Sequence, residues 1–409
     1  MKVFKFGGAS LKNSEAVENM ASIIEEYAGE SLIIVVSAMA KNTNLLEYIV
    51  RKKLQSADYQ TLFDEFENFH SQMTNDLFKA NAGVKDKIRT MLIELKSKIE
   101  QDLEPSKLYD NVVVYGELLS SMIVAEFVNA SWVDARDYIK TDEHHQNANI
   151  NWDKTQKLIV SDLKQTNGIV VTQGFIGSTD NGESTTLGRE GSDFTAAIFA
   201  TCLEVDSVTV WKDVPGILNG DPKKISNTEK FDELPYKEAA EMTYYGASVI
   251  HPKTIKPLAN QNIPLYVKSF SDPAASGTII HDCSFKPLPT IIIKDNQCLI
   301  SFKVIDYSFI NEHNLSVIFR ELATADIQIS MMQNSAVSFS IVVDNNLTKV
   351  EALVGRLKSD FQIRYNTGLH LLTIKNYTNK LIQKYQKGNR ILLEQTSRNN
   401  YRSLMAKLD

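Results

Sequence analysis

The stretch TTLGREGSDFTAA, residues 185–197, sets a cation, two glycines and a carboxylate at the start of a helical pattern. Thr185 and Thr186 favour a strand, Gly188 and Gly191 free the backbone for a tight loop, and Ser192 is placed to cap a helix with the apolar face Phe194, Ala197, Ile198. Free amides at a helix N-terminus attract phosphate or carboxylate. Arg189 adds a planar fork that matches a carboxylate, and Asp193 in the first turn suits an ammonium group or a lysine that must be oriented. A second cation, Lys5, stands on the short strand VFKF that runs straight into Gly7 and Gly8. A lysine on the first strand of an open sheet, followed by glycine amides at the sheet's carboxyl edge, can reach the β and γ phosphates of a nucleotide. Neither G-x-x-x-x-G-K-[ST] nor G-x-G-x-x-G occurs, so the two commonest nucleotide loops are absent.

The elements that must position these groups alternate in type. VFKF, a helical stretch over 14–28 and LIIVV at 32–36 predict a mostly parallel open α/β sheet covered by helices. Residues 42–104 read as a helical insertion, and the amphipathic segment 85–103 as a solvated helix with one packed face. Strands resume at 168–175, 207–211 and 263–270, and Pro287 and Pro289 mark a linker. Beyond it, residues 298–343 read strand, helix, strand, strand, with a second helix over 346–360. From about 369 a further strand precedes a shortened helix and NRILLEQTSRNNYRSLMA.

Composition agrees. The 409 residues predict two or three domains, 43% apolar content allows sizeable cores, and a formal charge of −6 argues against nucleic acid or an anionic membrane as partner. Three cysteines, Cys202, Cys283 and Cys298, without C-x-x-C spacing read as reduced thiols. No apolar run approaches a membrane span, and MKVFKFGG carries no signal-peptide core, so a cytoplasmic protein is expected. The seven histidines are scattered without metal-ligand spacing; they read as surface or core residues, His251 as a structural residue at a helix start, and no protein-held metal is expected.

KFGGAS at 5–10, VVSAMAKNTNLL at 35–46, YGELLSS at 115–121, TQGFIG at 172–177, TTLGREGSDFTAA, WKDVPGILNGDP at 211–222 and MTYYGASVIHPKT at 242–254 together resemble the aspartokinase family, in order and spacing. The resemblance implies an amino-acid kinase catalytic domain over 1–287. It also implies an ACT-like α+β regulatory region over 288–409 whose second unit is shortened. It implies transfer of the ATP γ-phosphoryl to the β-carboxylate of L-aspartate, the first step toward lysine, threonine and methionine. Mg²⁺ would come with ATP. A homodimer paired through the ACT-like region is expected, with an amino-acid effector possible and lysine inhibition weak or absent. A kinase acting on glutamate or an acetylated relative, and a catalytically weak amino-acid sensor, are the alternatives.

Carried over position by position, the resemblance gives Lys5 to the transferring phosphoryl, with Asp193 beside it as the second catalytic residue and Gly7 and Gly8 as backbone donors. Ser37, Thr43, Glu117, Arg189 and Ser192 surround aspartate, Arg189 at its α-carboxylate and Glu117 at its α-ammonium. Glu117 is read at a strand-to-helix junction, and Thr43 as a possible helix N-cap. Lys212, Asp213, Asp221 and Lys223 map to the nucleotide. Ser248 stands where the family commonly has lysine, so one phosphate-facing cation is expected to be missing, with Lys253 or Lys223 able to compensate.

Overall fold

A computed structural model describes residues 1–40, 42–79, 81–247, 250–306 and 308–407. The chain forms two compact units: one holds Met1–Ile217, Lys230–Thr243 and the described part of 248–285, and the other holds Leu218–Glu229, Tyr244–Ala247 and Lys286 onward. The crossing segments are set by side chains that no local pattern reveals. Ile225 packs into a core with Ile291, Leu372, Ile374, Tyr401 and Met405. Tyr245 accepts a hydrogen bond from Asn400 Nδ2 at 3.0 Å and lies 4.9 Å under the Arg402 guanidinium.

In the first unit, β1 (Lys2–Phe6), α1 (Ser14–Glu25) and β2 (Leu32–Val36) begin the sheet, and every residue of LIIVV is buried, as a strand covered on both faces requires. The helical insertion comprises α2 (Asn42–Leu54), α3 (Gln60–Leu77) and α4 (Ala82–Ile99), and the next helix, α5 (Pro105–Phe127), runs into the core. Then come β3 (Ser131–Trp132), α6 (Ala135–Tyr138), α7 (Trp152–Leu163), β4 (Ile169–Gln173), the hairpin β5 (Ile176–Ser178) and β6 (Ser184–Thr186), α8 (Gly191–Leu203) and β7 (Ser207–Lys212). β8 (Glu233–Pro235), α9 (Tyr236–Tyr244), α10 (Pro252–Asn260), β9 (Leu265–Ser269) and β10 (Thr278–His281) complete it. The eight-stranded sheet runs β3-β4-β2-β1-β7-β9-β10-β8, parallel throughout except for β9 against β10.

Register decides where chemistry gathers. Phe6 pairs with Val36 and with Trp211, and Val36 with Gln173, so Gly7, Ser37 and Gly174 leave one carboxyl edge of the sheet together, beside Lys212 at the end of β7.

The second unit contains β11 (Thr290–Val304), α11 (Glu312–Thr324), β12 (Ile329–Asn334), β13 (Ser338–Asp344), α12 (Leu347–Leu357), β14 (Phe361–Lys375), α13 (Asn379–Gln386), β15 (Asn389–Thr396) and β16 (Asn400–Lys407). Its antiparallel sheet runs β12-β13-β11-β14-β16-β15. Helices α11 and α12 bury Ile318, Leu322, Val350, Leu353 and Leu357 against one face. Between β14 and β15 the helix α13 has 8 residues and no buried side chain.

Candidate active site

At the carboxyl edge of β1 the chain turns through Gly7 and Gly8 against the segment that follows β2. Ala40 N donates to Gly8 O at 3.0 Å and Ser37 N to Phe6 O at 3.1 Å. A methyl group at Gly8 would lie 2.0 Å from Ala38 O, so only glycine lets these two backbones touch. The next layer is α5. Ala38 N donates to Glu117 Oε2 at 2.7 Å and Met39 N to Ser120 Oγ at 2.8 Å, so a buried helix holds the loop after β2 by its amides.

Opposite stands α8. Its first turn places Asp193, fully buried, with Lys5 Nζ 2.7 Å from Oδ1 and Lys212 Nζ 3.5 Å from Oδ2. Burial alone would raise the Asp193 carboxyl, but the Lys5 ammonium, then that of Lys212, outweighs it and holds the group below its ordinary value. Lys5 is itself only 8% exposed. Two ammonium groups on neighbouring strands share one carboxylate, leaving net positive charge beside the glycine turn.

Glu117 behaves in the opposite way. Burial pushes its carboxyl up to about 8, and the Ala38 amide and the Lys5 charge recover only part of the shift. The charged form of such a carboxyl is disfavoured by burial and would be stabilised by a neighbouring cation.

The α8 approach depends on Gly174, where a methyl would lie 2.4 Å from Ser192 Cβ. The helix begins at Gly191, with Glu190 as N-cap in the left-handed region (φ 57°) and no side-chain cap, so Ser192 lies inside the first turn and is not the cap. The loop Gly188–Glu190 closes on itself through Gly191 N donating to Gly188 O at 3.1 Å. Arg189 is exposed on this loop.

The structure therefore gathers Lys5, Gly7, Gly8, Ser37, Glu117, Ser192, Asp193 and Lys212 around one sheet edge, with Asp213 exposed just beyond β7 and Thr43 half-buried in the first turn of α2. Glu117 is not at a strand-to-helix junction but midway along the 23-residue α5; the run VVVYGELLSSMIVA imitates a strand because this helix is buried nearly all round. Asp221 and Lys223 belong to the second unit, where the Asp221 carboxylate accepts from Lys223 N at 2.9 Å and shapes its own turn. Ser248 lies outside the described residues. Lys253 donates to Asn147 Oδ1 at 2.7 Å, and His251 caps α10, as a structural residue does.

One supporting group escaped the sequence. Asp110, fully buried in α5, accepts from Thr186 Oγ1 at 2.7 Å and from Gln146 N, and lies 2.8 Å from His145 Nδ1. This network anchors β6, which leads into the Arg189 loop. Its only trace in the sequence is an acid beside an apolar helical run.

The amino acid kinase family model matches residues 1–269. Lysine-sensitive aspartokinase 3 of Escherichia coli is 32% identical over 353 residues, covering 84% of this chain and 78% of that protein. The chain belongs to the aspartokinase family. Its fold agrees: the crystal structure of E. coli aspartokinase III in complex with aspartate and ADP, in the R-state, superposes with a TM-score of 0.85 at 27% identity, covering 99% of this aspartokinase and 96% of that chain. A bifunctional aspartokinase/homoserine dehydrogenase of Buchnera aphidicola is 30% identical over 305 residues, but this aspartokinase spans only 37% of its length.

Proposed function

We propose that this aspartokinase transfers the γ-phosphoryl of ATP to the β-carboxylate of L-aspartate, giving 4-phospho-L-aspartate. The observation that carries the reading is the cluster of Lys5 and Lys212 on the buried Asp193 carboxylate at the glycine turn, placed with Glu117 at the same sheet edge. The acceptor carboxylate is ionised at neutral pH and needs no base, so the barrier lies in bringing two anions together in line. Lys5 supplies positive charge to the transferring phosphoryl, Asp193 fixes its Nζ, and the Gly7 and Gly8 amides add donors. Arg189 takes the α-carboxylate and Glu117 the α-ammonium of aspartate, with Ser37, Thr43 and Ser192 lining the same substrate. Lys212 and Asp213 face the nucleotide side.

Mg²⁺, carried by the phosphates and water, would offset phosphate charge. No helix among the described residues is long and apolar enough to cross a membrane, and a cytoplasmic setting fits a biosynthetic kinase. We assign pairing of two copies to the ACT-like unit; sedimentation as a monomer at micromolar concentration would overturn that.

The test of the reaction is ATP-dependent acyl phosphate formation, trapped with hydroxylamine, from aspartate and from glutamate. Aspartate should be preferred, and Lys5→Ala should lower turnover by about a hundredfold or more. Preference for glutamate would refute the substrate, and unchanged turnover in Lys5→Ala would refute the role of the lysine.

A further inference from the structure

We infer that the far edge of the kinase sheet carries a zinc-class metal site formed by Glu233, His281 and Cys283. These three side chains each present one ligand atom, and the atoms all lie within 4.8 Å of one another. Tetrahedral ligands at ordinary zinc distances stand about 3.3–3.8 Å apart, so closure around an ion needs only small side-chain rotations. The backbone already sets the directions. β8 and β10 pair in parallel with Ile279 opposite Glu233, and Leu234 and Ile280 face inward, so Glu233 and His281 project together from the outward face. Cys283 follows two residues after His281, and His281 Nε2 is 3.2 Å from Glu233 Oε2.

The charge balance favours a cation. The Glu233 carboxylate is part of the cluster and Asp282 sits between His281 and Cys283 in the chain, so two acids border one thiol. A dication offsets this negative charge and stabilises the thiolate. Imidazole, thiolate and one carboxylate match zinc and its neighbours, whereas Mg²⁺ prefers an all-oxygen shell and would not compete. Three protein ligands leave a fourth position for water. Bound metal would tie the edge strand β8 to the end of β10. Glu233 lies just after the chain returns to this unit at Lys230, and Cys283 lies just before it leaves after Phe285, so the metal would staple both passages.

Sequence spacing hid the site because Glu233 is 48 residues from His281. Cys283 is also the one partly exposed thiol of three, since Cys202 and Cys298 are buried.

The test is Co²⁺ titration of the full chain, reading the thiolate-to-cobalt charge-transfer band, with Zn²⁺ competition. One equivalent should develop the band, and Zn²⁺ should abolish it. Affinity should rise about tenfold per pH unit near neutrality, as one thiol proton is displaced. Cys283→Ser should lose the band, and His281→Ala and Glu233→Gln should each weaken binding at least about tenfold. Glu233 and His281 are on the outer face and Cys283 is partly exposed, and kinase turnover without added metal serves as the folding control. Absence of a band in the folded parent, or a band that survives Cys283→Ser, would overturn the assignment.

Discussion

Glu117→Gln should make the kinase unit more stable while weakening its hold on aspartate. The Glu117 carboxyl sits at about 8 in the folded chain against an ordinary value of 4.5, and it is buried. Between those values the folded state binds a proton that the unfolded state has released, so stability falls as pH rises through this window, by about 1.4 kcal/mol per pH unit. At pH 7 the accumulated cost is about 3 kcal/mol, an upper bound because a buried carboxyl relaxes on ionising. Gln resembles the protonated acid in shape, and its amide oxygen can accept from Ala38 N, so it should escape this cost. Urea unfolding followed by tryptophan fluorescence isolates the relevant unit, since Trp132, Trp152 and Trp211 all lie in it. The variant's advantage should be small at pH 5 and grow toward pH 7, with other titrating groups cancelling in the difference. The α-ammonium of aspartate should demand the ionised form, so parental affinity at pH 7 should be about tenfold below its value once Glu117 is ionised, a pH gain that Gln lacks. A Gln variant no more stable at pH 7, or one with unchanged aspartate KM, would refute this account of Glu117.

Asp193→Asn removes the shared counter-ion of Lys5 and Lys212 and should cost about 3 kcal/mol of kinase-unit stability at neutral pH, with a fall in kcat; the same urea experiment checks it, and unaltered stability would show the pair to be slack. Gly174→Ala drives a methyl toward Ser192 Cβ, so the first turn of α8 must shift, at about 1–3 kcal/mol and with a raised aspartate KM. Normal kinetics in that variant would mean the contact yields without moving Asp193. Lysine should inhibit weakly, because α13 is short and buries no side chain completely; strong inhibition at sub-millimolar lysine in the trapping assay would contradict that.

Local patterns determined a good deal by themselves. Short β-branched and aromatic runs such as VFKF and LIIVV read as strands, glycines after a strand mark a turn, and the brevity of the last helix is visible as a short helical run. The strand that carries Lys5 into its glycine turn and the loop that enters a helix at Gly191–Asp193 were legible because each is a compact motif. What the tertiary structure alone decided depends on separation along the chain. The sharing of Asp193 by Lys5 and Lys212 needs β1 beside β7, and the upward push on the Glu117 carboxyl needs α5 buried around it. The Asp110–His145 anchor needs a loop folded back 35 residues. Local propensity also misled: Ser192 has the chemistry of a cap, but the helix already starts at Gly191, with Glu190 in the left-handed region as its N-cap. Ile225 and Tyr245 joined the second unit because their partners lie more than sixty residues away, and a one-dimensional pattern carries no information about burial against so distant a surface.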